Sequence, residues 1–330
     1  MSARPRLVPP APERSADKPG PGPVPPQVLR ALDLAVMKRI ESLVPGEHLT
    51  PQVGSGTELA MIRPYHPGDD VRHIDWMATA RLQEPHVRVH VGERALTTWL
   101  VLDVSASMAF GTADRRKTDV AEGVALAVGH VATRRGNRLG VLAFGGEEPR
   151  ILRPRQGRLG LLALLAELRR EPSEGAGATS LGSALGSAAS LGRQRGLVVI
   201  VSDFRGERDW EGPLTALRAR HGVMAVEIVD PREQQLVNAG DLWLVDPETG
   251  RQVHVDTRKR RIRDRFAAAA AAEREEVRSA LRRAGADHVE LSTGGDWLRI
   301  FASHLRRGEA ALRAGAPARA AIRNRMRAAT

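Results

Sequence analysis

Residues 97–108 read TTWLVLDVSASM, a short apolar run that ends in a carboxylate and two hydroxyls. The run predicts a buried strand, and Asp103, Ser105 and Ser107 follow at its carboxyl end. Side chains at this spacing can face one hard cation, and oxygen groups are the ligands that Mg²⁺ prefers. The same residue types also bond to free amides in turns before helices. The stretch therefore predicts either a metal site or a capped turn.

Strand and helix patterns alternate from residue 97 onward. Apolar runs that predict strands lie at 99–104, 138–144, 196–204 and 223–231, and a last strand is predicted at 286–293. Helical spacing fills the segments 117–135, 157–170, 181–193, 210–222, 258–284 and 296–307. Short, fully apolar strands between helices predict an α/β fold with a doubly wound, mostly parallel sheet flanked by helices. Residues 241–257 break the alternation and predict an inserted β-hairpin.

The two ends of the chain differ from its middle. Residues 1–26 are rich in proline and predict a disordered tail, and 309–330 form a basic tail of Ala and Arg. Residues 27–96 predict an N-terminal subdomain made of an amphipathic helix at 27–44 and extended segments. Residues 97–308 form the main α/β domain.

Composition narrows the functional classes. The formal net charge is +11, and the excess of positive charge lies in the two ends of the chain. A solubilising tail is the simpler interpretation, and nucleic-acid binding through the C-terminal tail is an alternative. There is no cysteine, which excludes disulfides and thiolate metal sites. No apolar run approaches the roughly 18 residues of a membrane span. We expect a cytoplasmic protein.

Two further oxygen groups fall where such sheets bind ligands. Asp203 ends the apolar run 196–204, and Thr179 lies in a glycine-rich loop before a helix. Ligands of open α/β sheets collect at the carboxyl ends of the strands, so these groups are expected to meet Asp103, Ser105 and Ser107. Two carboxylates and three hydroxyls suit Mg²⁺, with Mn²⁺ or Ca²⁺ as alternatives. No His or Glu within these motifs is placed as a base.

The order of these five residues resembles the metal-ion-dependent adhesion site of von Willebrand factor A domains. The resemblance implies direct coordination by Ser105, Ser107 and Thr179. Asp103 and Asp203 would lie near the ion, either directly bound or through water. An acidic side chain of a protein partner would complete the coordination.

A second motif, RPYHPGDDVRHIDWMATAR, occupies residues 63–81. It resembles the signature of the bacterial family known as domain of unknown function 58, and the similarity extends over about 45–305. The signature residues are Arg63, Tyr65, Gly68, Asp69, Asp70, Arg72, Asp75, Trp76 and Arg81. Their dense mixture of Arg and Asp predicts ion pairs that pin an extended segment to the domain, with a partner-binding surface as the alternative.

The sequence favours a non-enzymatic, metal-dependent adaptor. The family resemblance implies a MoxR-type AAA+ ATPase as partner, in the assembly or remodelling of other proteins. The chain has no Gly-x-x-x-x-Gly-Lys-Ser/Thr loop of its own. The alternative is a metal-dependent hydrolase or nuclease, which would use the carboxylates at 103 and 203 with the acidic and histidine residues of 66–75. The spacing within 66–75 matches no zinc pattern.

Overall fold

The computed structural model describes residues 58–91, 96–111, 114–133, 137–146, 148–168, 180–192 and 195–307. The predicted helix 27–44, both predicted tails and Thr179 lie outside these ranges. Within the described ranges, no helix combines the length and the apolarity needed to cross a membrane.

The N-terminal unit is a two-stranded sheet with a short helix between its strands. Strand β1 (Glu58–Pro64) pairs antiparallel with β2 (His86–Val91), and helix α1 (Trp76–Leu82) lies between them in sequence. The carboxylate of Asp75 accepts from the N–H groups of Met77 and Ala78 at 3.0 Å, which starts α1. The sequence predicted extended segments and turns here, so this helix is a correction.

The remaining elements form an alternating series. The strands are β3 (Thr97–Asp103), β4 (Arg138–Phe144), β5 (Arg150–Gln156), β6 (Gly196–Ser202), β7 (Gly222–Val229), β8 (Asp241–Val245), β9 (Gln252–Asp256) and β10 (Asp287–Ser292). The helices are α2 (Lys117–Ala132), α3 (Gly157–Leu168), α4 (Leu181–Leu191), α5 (Glu211–Arg218), α6 (Arg260–Arg283) and α7 at 297–307. Strands β8 and β9 form the inserted antiparallel hairpin that the sequence predicted.

Six strands form one sheet in the order β10-β7-β6-β3-β4-β5. All neighbouring pairs are parallel except β4 and β5. The prediction of a mixed α/β fold with a central, mostly parallel sheet is confirmed. Strand β5 lies outside the strands that the sequence predicted, and it is a half-exposed antiparallel strand at the edge of the sheet.

Apolar side chains cover both faces of the sheet. On one face Leu100 and Leu102 of β3 pack in a cluster with α2 and with Trp297 of α7. On the other face Trp99 and Val101 pack in a cluster with α4, α5 and α6. Successive residues of a strand point to opposite faces, so a strand buried on both sides has to be apolar throughout. Strands β3, β6 and β7 are buried along their whole length, and their side chains on both faces are accordingly mostly apolar.

The chain leaves neighbouring strands β3 and β6 in opposite directions. From β3 it crosses to β4 on one side, and from β6 it crosses to β7 on the other side. Such a reversal opens a crevice beyond the carboxyl ends of the two strands. Asp103 is the last residue of β3, and Ser202 is the last residue of β6. The topology therefore brings the polar residues that follow β3 and β6 to one crevice.

Candidate functional site at the switch point

Asp103 is buried at the carboxyl end of β3, and both of its carboxylate oxygens accept hydrogen bonds. The N–H of Ser105 donates to Oδ1 at 3.0 Å, and the hydroxyl of Ser202 donates to Oδ2 at 2.6 Å. Burial, together with the negative charge of Asp203, raises the pKa of Asp103 to about 6. The carboxylate thus fixes the turn after β3 and is held in an environment that disfavours additional negative charge.

The two serine hydroxyls face each other. The Oγ atoms of Ser105 and Ser107 lie 3.0 Å apart in the segment 104–107, here called the hydroxyl loop. Ser105 occupies the cap position of a short 3₁₀ turn (Ala106–Ala109), but its side chain makes no capping hydrogen bond. The capped-turn alternative therefore does not account for the Ser105 hydroxyl.

Gly145 packs closely against the backbone of the hydroxyl loop. Its φ of +95° is a backbone conformation that favours glycine. A Cβ atom at this position would lie 2.6 Å from the backbone nitrogen of Ser105. The turn after β4 therefore needs glycine in order to bring the backbone this close to the loop.

Asp203 is paired with a buried lysine. The Lys117 ammonium lies 2.6 Å from Oδ2 of Asp203 and 2.8 Å from Oε1 of Glu233, and the lysine side chain is 0% exposed. Arg205 donates its backbone N–H to Oδ1 of Asp203 at 3.1 Å. Its guanidinium lies 3.6 Å from Oε2 of Glu233 and is partly exposed. The fold thus brings a third carboxylate and an internal cation beside the predicted pair of aspartates.

A further carboxylate reaches the site from the inserted hairpin. Glu248 lies in the turn between β8 and β9, and its Oε1 accepts from the N–H of Ser107 at 2.8 Å. The two residues are separated by 141 positions in the chain. Glu248 lies outside the sequence motifs that predicted the site, and the fold brings it to the hydroxyl loop.

The structure brings together four of the five predicted oxygen groups, and the fifth, Thr179, lies outside the described residues. Sequence reasoning missed four contributors: Lys117, Ser202, Glu233 and Glu248. Lys117 carried one signal, because an ammonium group in the first turn of a helix is opposed by the helix dipole and needs a specific partner. Glu233 and Glu248 contact residues that are distant in the chain, so no local sequence pattern could predict their place in the site.

In the upstream signature, two aspartates bond to arginines of the same unit. Arg63 donates from both terminal nitrogens to Asp69 at 2.8 Å. That pairing, with the N–H of His66, lowers the pKa of Asp69 to about 2. Asp75 accepts from Nε of Arg88 at 2.8 Å, which lowers the pKa of Asp75. These pairs join residues within 63–88, whereas the sequence had suggested that they pin the segment to the main domain.

The other half of the signature faces solvent. Trp76 is 72% exposed and Met77 is 74% exposed, and Arg72 and Arg81 are exposed as well. Among the described residues, no group of three or more His, Asp or Glu side chains is arranged to hold a metal ion. The carboxylates at 69 and 75 are bonded to guanidinium groups, so they offer no support for the hydrolase alternative. At the switch point, Glu233 bonds to Lys117 and Glu248 bonds to a backbone amide, so the groups that accompany the two aspartates as candidate ligands are the hydroxyls.

The fold and the crevice define a class of protein, an α/β domain with carboxylate and hydroxyl groups at the switch point of a mostly parallel sheet. The chain belongs to the family described as "Protein of unknown function DUF58", which matches residues 61–276. It is 41% identical over 286 residues to an uncharacterized protein of Mycobacterium tuberculosis, a match that covers 85% of this chain and 89% of that protein. An uncharacterized protein of Mycobacterium avium is 45% identical over 108 residues, covering 32% of this chain and 62% of that protein. The family that the upstream signature predicted is confirmed.

Solved structures show distant similarities. The conserved hypothetical protein BatB from Bacteroides thetaiotaomicron has a TM-score of 0.42 and 14% identity, over 65% of this chain and 99% of that one. A von Willebrand factor type A protein from Catenulispora acidiphila has a TM-score of 0.32 and 16% identity, over 42% of this chain and 34% of that one. Similarities at this level carry no functional argument.

Proposed function

We propose that the protein is a metal-dependent protein-binding module of the von Willebrand factor A type. Mg²⁺ would be held by the hydroxyls of Ser105 and Ser107, with Asp103 and Asp203 beside it and Thr179 as a further ligand. The observation that carries the proposal is the 3.0 Å separation of the two serine hydroxyls. Two neighbouring ligands of an octahedral Mg²⁺, each about 2.1 Å from the ion, lie about 3.0 Å apart.

The charge of the site also favours a divalent cation. Three carboxylates, those of Asp103, Asp203 and Glu233, have one buried ammonium among them, that of Lys117. Arg205 adds a partly exposed positive charge at the edge. A buried cluster with net negative charge is costly unless a cation neutralises it.

The bound ion would supply an electrophilic point for a carboxylate of a partner. The residues of the chain do the positioning. Asp103 holds the N–H of Ser105 and so fixes the hydroxyl loop, and Gly145 lets the backbone approach it from behind. Lys117 keeps Asp203 in one orientation. This division of roles suits binding better than hydrolysis, because both aspartates are engaged as acceptors rather than poised as bases.

The partner that we propose is a MoxR-type AAA+ ATPase, with the module acting as an adaptor in protein assembly or remodelling. The support is the resemblance carried by the 63–81 signature, together with the family membership. The chain has no phosphate-binding loop, which is consistent with an ATPase being supplied in trans.

The metal is tested by thermal and urea unfolding of the full chain in Mg²⁺ and in chelator. We expect Mg²⁺ to stabilise the wild type by about 2.7 kcal/mol at an ion concentration one hundred times Kd. Asp103→Asn should abolish the effect and still fold, because an asparagine can accept from Ser105 and donate to Ser202. The matched control is Asp70→Asn, at an exposed aspartate of the N-terminal unit. Identical unfolding curves with Mg²⁺ and with chelator would overturn the metal proposal.

The adaptor role is tested by affinity capture from the native cell with the wild type and with Asp103→Asn. We expect an AAA+ ATPase, identified by mass spectrometry, with the wild type in Mg²⁺ and not with the variant. Equal recovery by both proteins, or no ATPase with either, contradicts the role.

A further inference from the structure

The tip of the inserted hairpin, residues 246–250, contacts the hydroxyl loop through one carboxylate. Oε1 of Glu248 accepts from the N–H of Ser107 at 2.8 Å. This amide belongs to the residue whose hydroxyl faces that of Ser105. A carboxylate of this chain therefore lies against the same loop whose hydroxyls, in the proposed function, hold the ion that binds the carboxylate of a partner.

The shape of the tip is fixed by its own bonds. Asp246 accepts from the backbone N–H of Glu248 at 3.0 Å and from the hydroxyl of Thr249 at 2.6 Å. These bonds, chiefly the one from Thr249, lower the pKa of Asp246. Gly250 closes the turn with a φ of +68° and donates its N–H to the carbonyl of Asp246 at 2.8 Å. The tip presents Glu248 in a shape that does not depend on the contact with Ser107.

The hairpin is firmly anchored at its base and lightly packed along its strands. The buried Thr257 donates its hydroxyl and its N–H to the carbonyl of Gly240, and Arg258 pairs with Asp241 at 2.7 Å. In β8 and β9 every side chain is exposed or half-buried, and Trp243 is 66% exposed. Movement of the tip away from the hydroxyl loop would therefore unbury little apolar surface.

We propose that Glu248 is an intramolecular ligand of the hydroxyl loop and that an acidic side chain of a protein partner displaces it. The inference rests on the proposed function for the nature of the partner, whereas the contact itself needs no metal ion. In the closed state the tip competes with the partner. An incoming acidic segment gains access when the hairpin swings about its base.

The first experiment measures the contact without metal. In chelator, hydrogen–deuterium exchange is followed in the segment 104–110 for the wild type, Glu248→Ala and the matched control Glu84→Ala, at an exposed glutamate before β2. We expect the Ser107 amide to exchange on the order of tenfold faster in Glu248→Ala, the factor for loss of one charge-assisted hydrogen bond. Unchanged exchange overturns the inference.

The second experiment measures competition. The probe is a labelled synthetic peptide of residues 244–252 (LVDPETGRQ), with a version carrying Gln for Glu as the control peptide. In Mg²⁺ and in chelator, we expect Glu248→Ala to bind the Glu peptide about tenfold more tightly than the wild type, because its own tip no longer competes. Glu84→Ala should bind like the wild type. Equal binding to the wild type and Glu248→Ala, or equal binding of both peptides, overturns the inference.

The two proposals can fail separately. If Mg²⁺ does not stabilise the protein, the metal proposal fails, whereas faster exchange and tighter peptide binding in chelator still support the intramolecular ligand. If Mg²⁺ stabilises the protein and exchange at Ser107 is the same in both proteins, the intramolecular ligand fails and the metal proposal stands.

Discussion

Replacement of Lys117 by methionine should destabilise the protein strongly. Methionine fills similar space, but it removes the ammonium that lies 2.6 Å from Asp203 and 2.8 Å from Glu233. Both carboxylates are largely buried, with 3% and 11% of their side chains exposed, so the substitution removes the ammonium from two charges held away from water. The partly exposed guanidinium of Arg205 stays 3.6 Å from Glu233 and offsets part of the loss there. Breaking a buried pair in this way costs about 3–5 kcal/mol. For a domain of this size that corresponds to a fall in Tm of about 6–20 °C.

Urea unfolding followed by far-ultraviolet circular dichroism measures the loss. The matched control is Lys259→Met, because this lysine is 67% exposed and lies 3.5 Å from Asp256. An exposed pair of this kind contributes about 0–1 kcal/mol. We also expect Mg²⁺ to stabilise Lys117→Met more than the wild type, since the ion would then be the cation nearest Asp203. A loss no larger than that of Lys259→Met would refute the argument from burial and charge.

Three further predictions concern packing and pH. Gly145→Ala should cost about 1–3 kcal/mol in urea unfolding, because its methyl would lie 2.6 Å from the backbone of the hydroxyl loop. Gly206→Ala, at a similar φ of +93° in open space, separates this clash from backbone strain, and equal losses would remove the clash from the explanation. The pKa of Asp69 is held at about 2, below its ordinary value of about 3.9, by its pairing with Arg63. The stability that this pairing contributes is therefore fully present above about pH 4 and is lost as the pH falls toward 2. The difference in the free energy of unfolding between the wild type and Asp69→Asn should therefore shrink as the pH falls from 4 toward 2. A difference that does not change with pH contradicts this prediction. Trp297→Ala, at a side chain that is 1% exposed, should cost about 3–5 kcal/mol, whereas Trp243→Ala, at a side chain that is 66% exposed, should cost less than about 1 kcal/mol by the same measurement.

The alternation of the sheet could be predicted because its central strands are buried on both faces. Such strands need continuous apolar runs, which stand out in a sequence. Strand β5 has one half-buried face and carries Arg150, Arg153, Pro154 and Arg155, so no apolar run marked it. Helix α1 was missed for a related reason, since it contains no buried residue and therefore no apolar periodicity.

The candidate site was predictable where it depends on strand ends and unpredictable where it depends on distant contacts. Asp103 and Asp203 each follow an apolar run, and parallel strands bring their carboxyl ends to one edge. The bond from Lys117 to Glu233 spans 116 residues, and that from Ser107 to Glu248 spans 141. No local spacing encodes such contacts, because they depend on how the helix α2 and the hairpin lie on the finished sheet.

The half-exposed edge strand β5 also has a consequence for association between copies of the chain. An open strand edge offers unpaired N–H and C=O groups to any other strand, and arginine and proline on the edge oppose such pairing through charge repulsion and a missing donor. Pro154 and the three arginines of β5 stand at the end of the sheet where it could otherwise grow by adding a strand from a second molecule. The residues that hid this strand from sequence analysis are thus the same residues that protect the sheet against edge-to-edge aggregation.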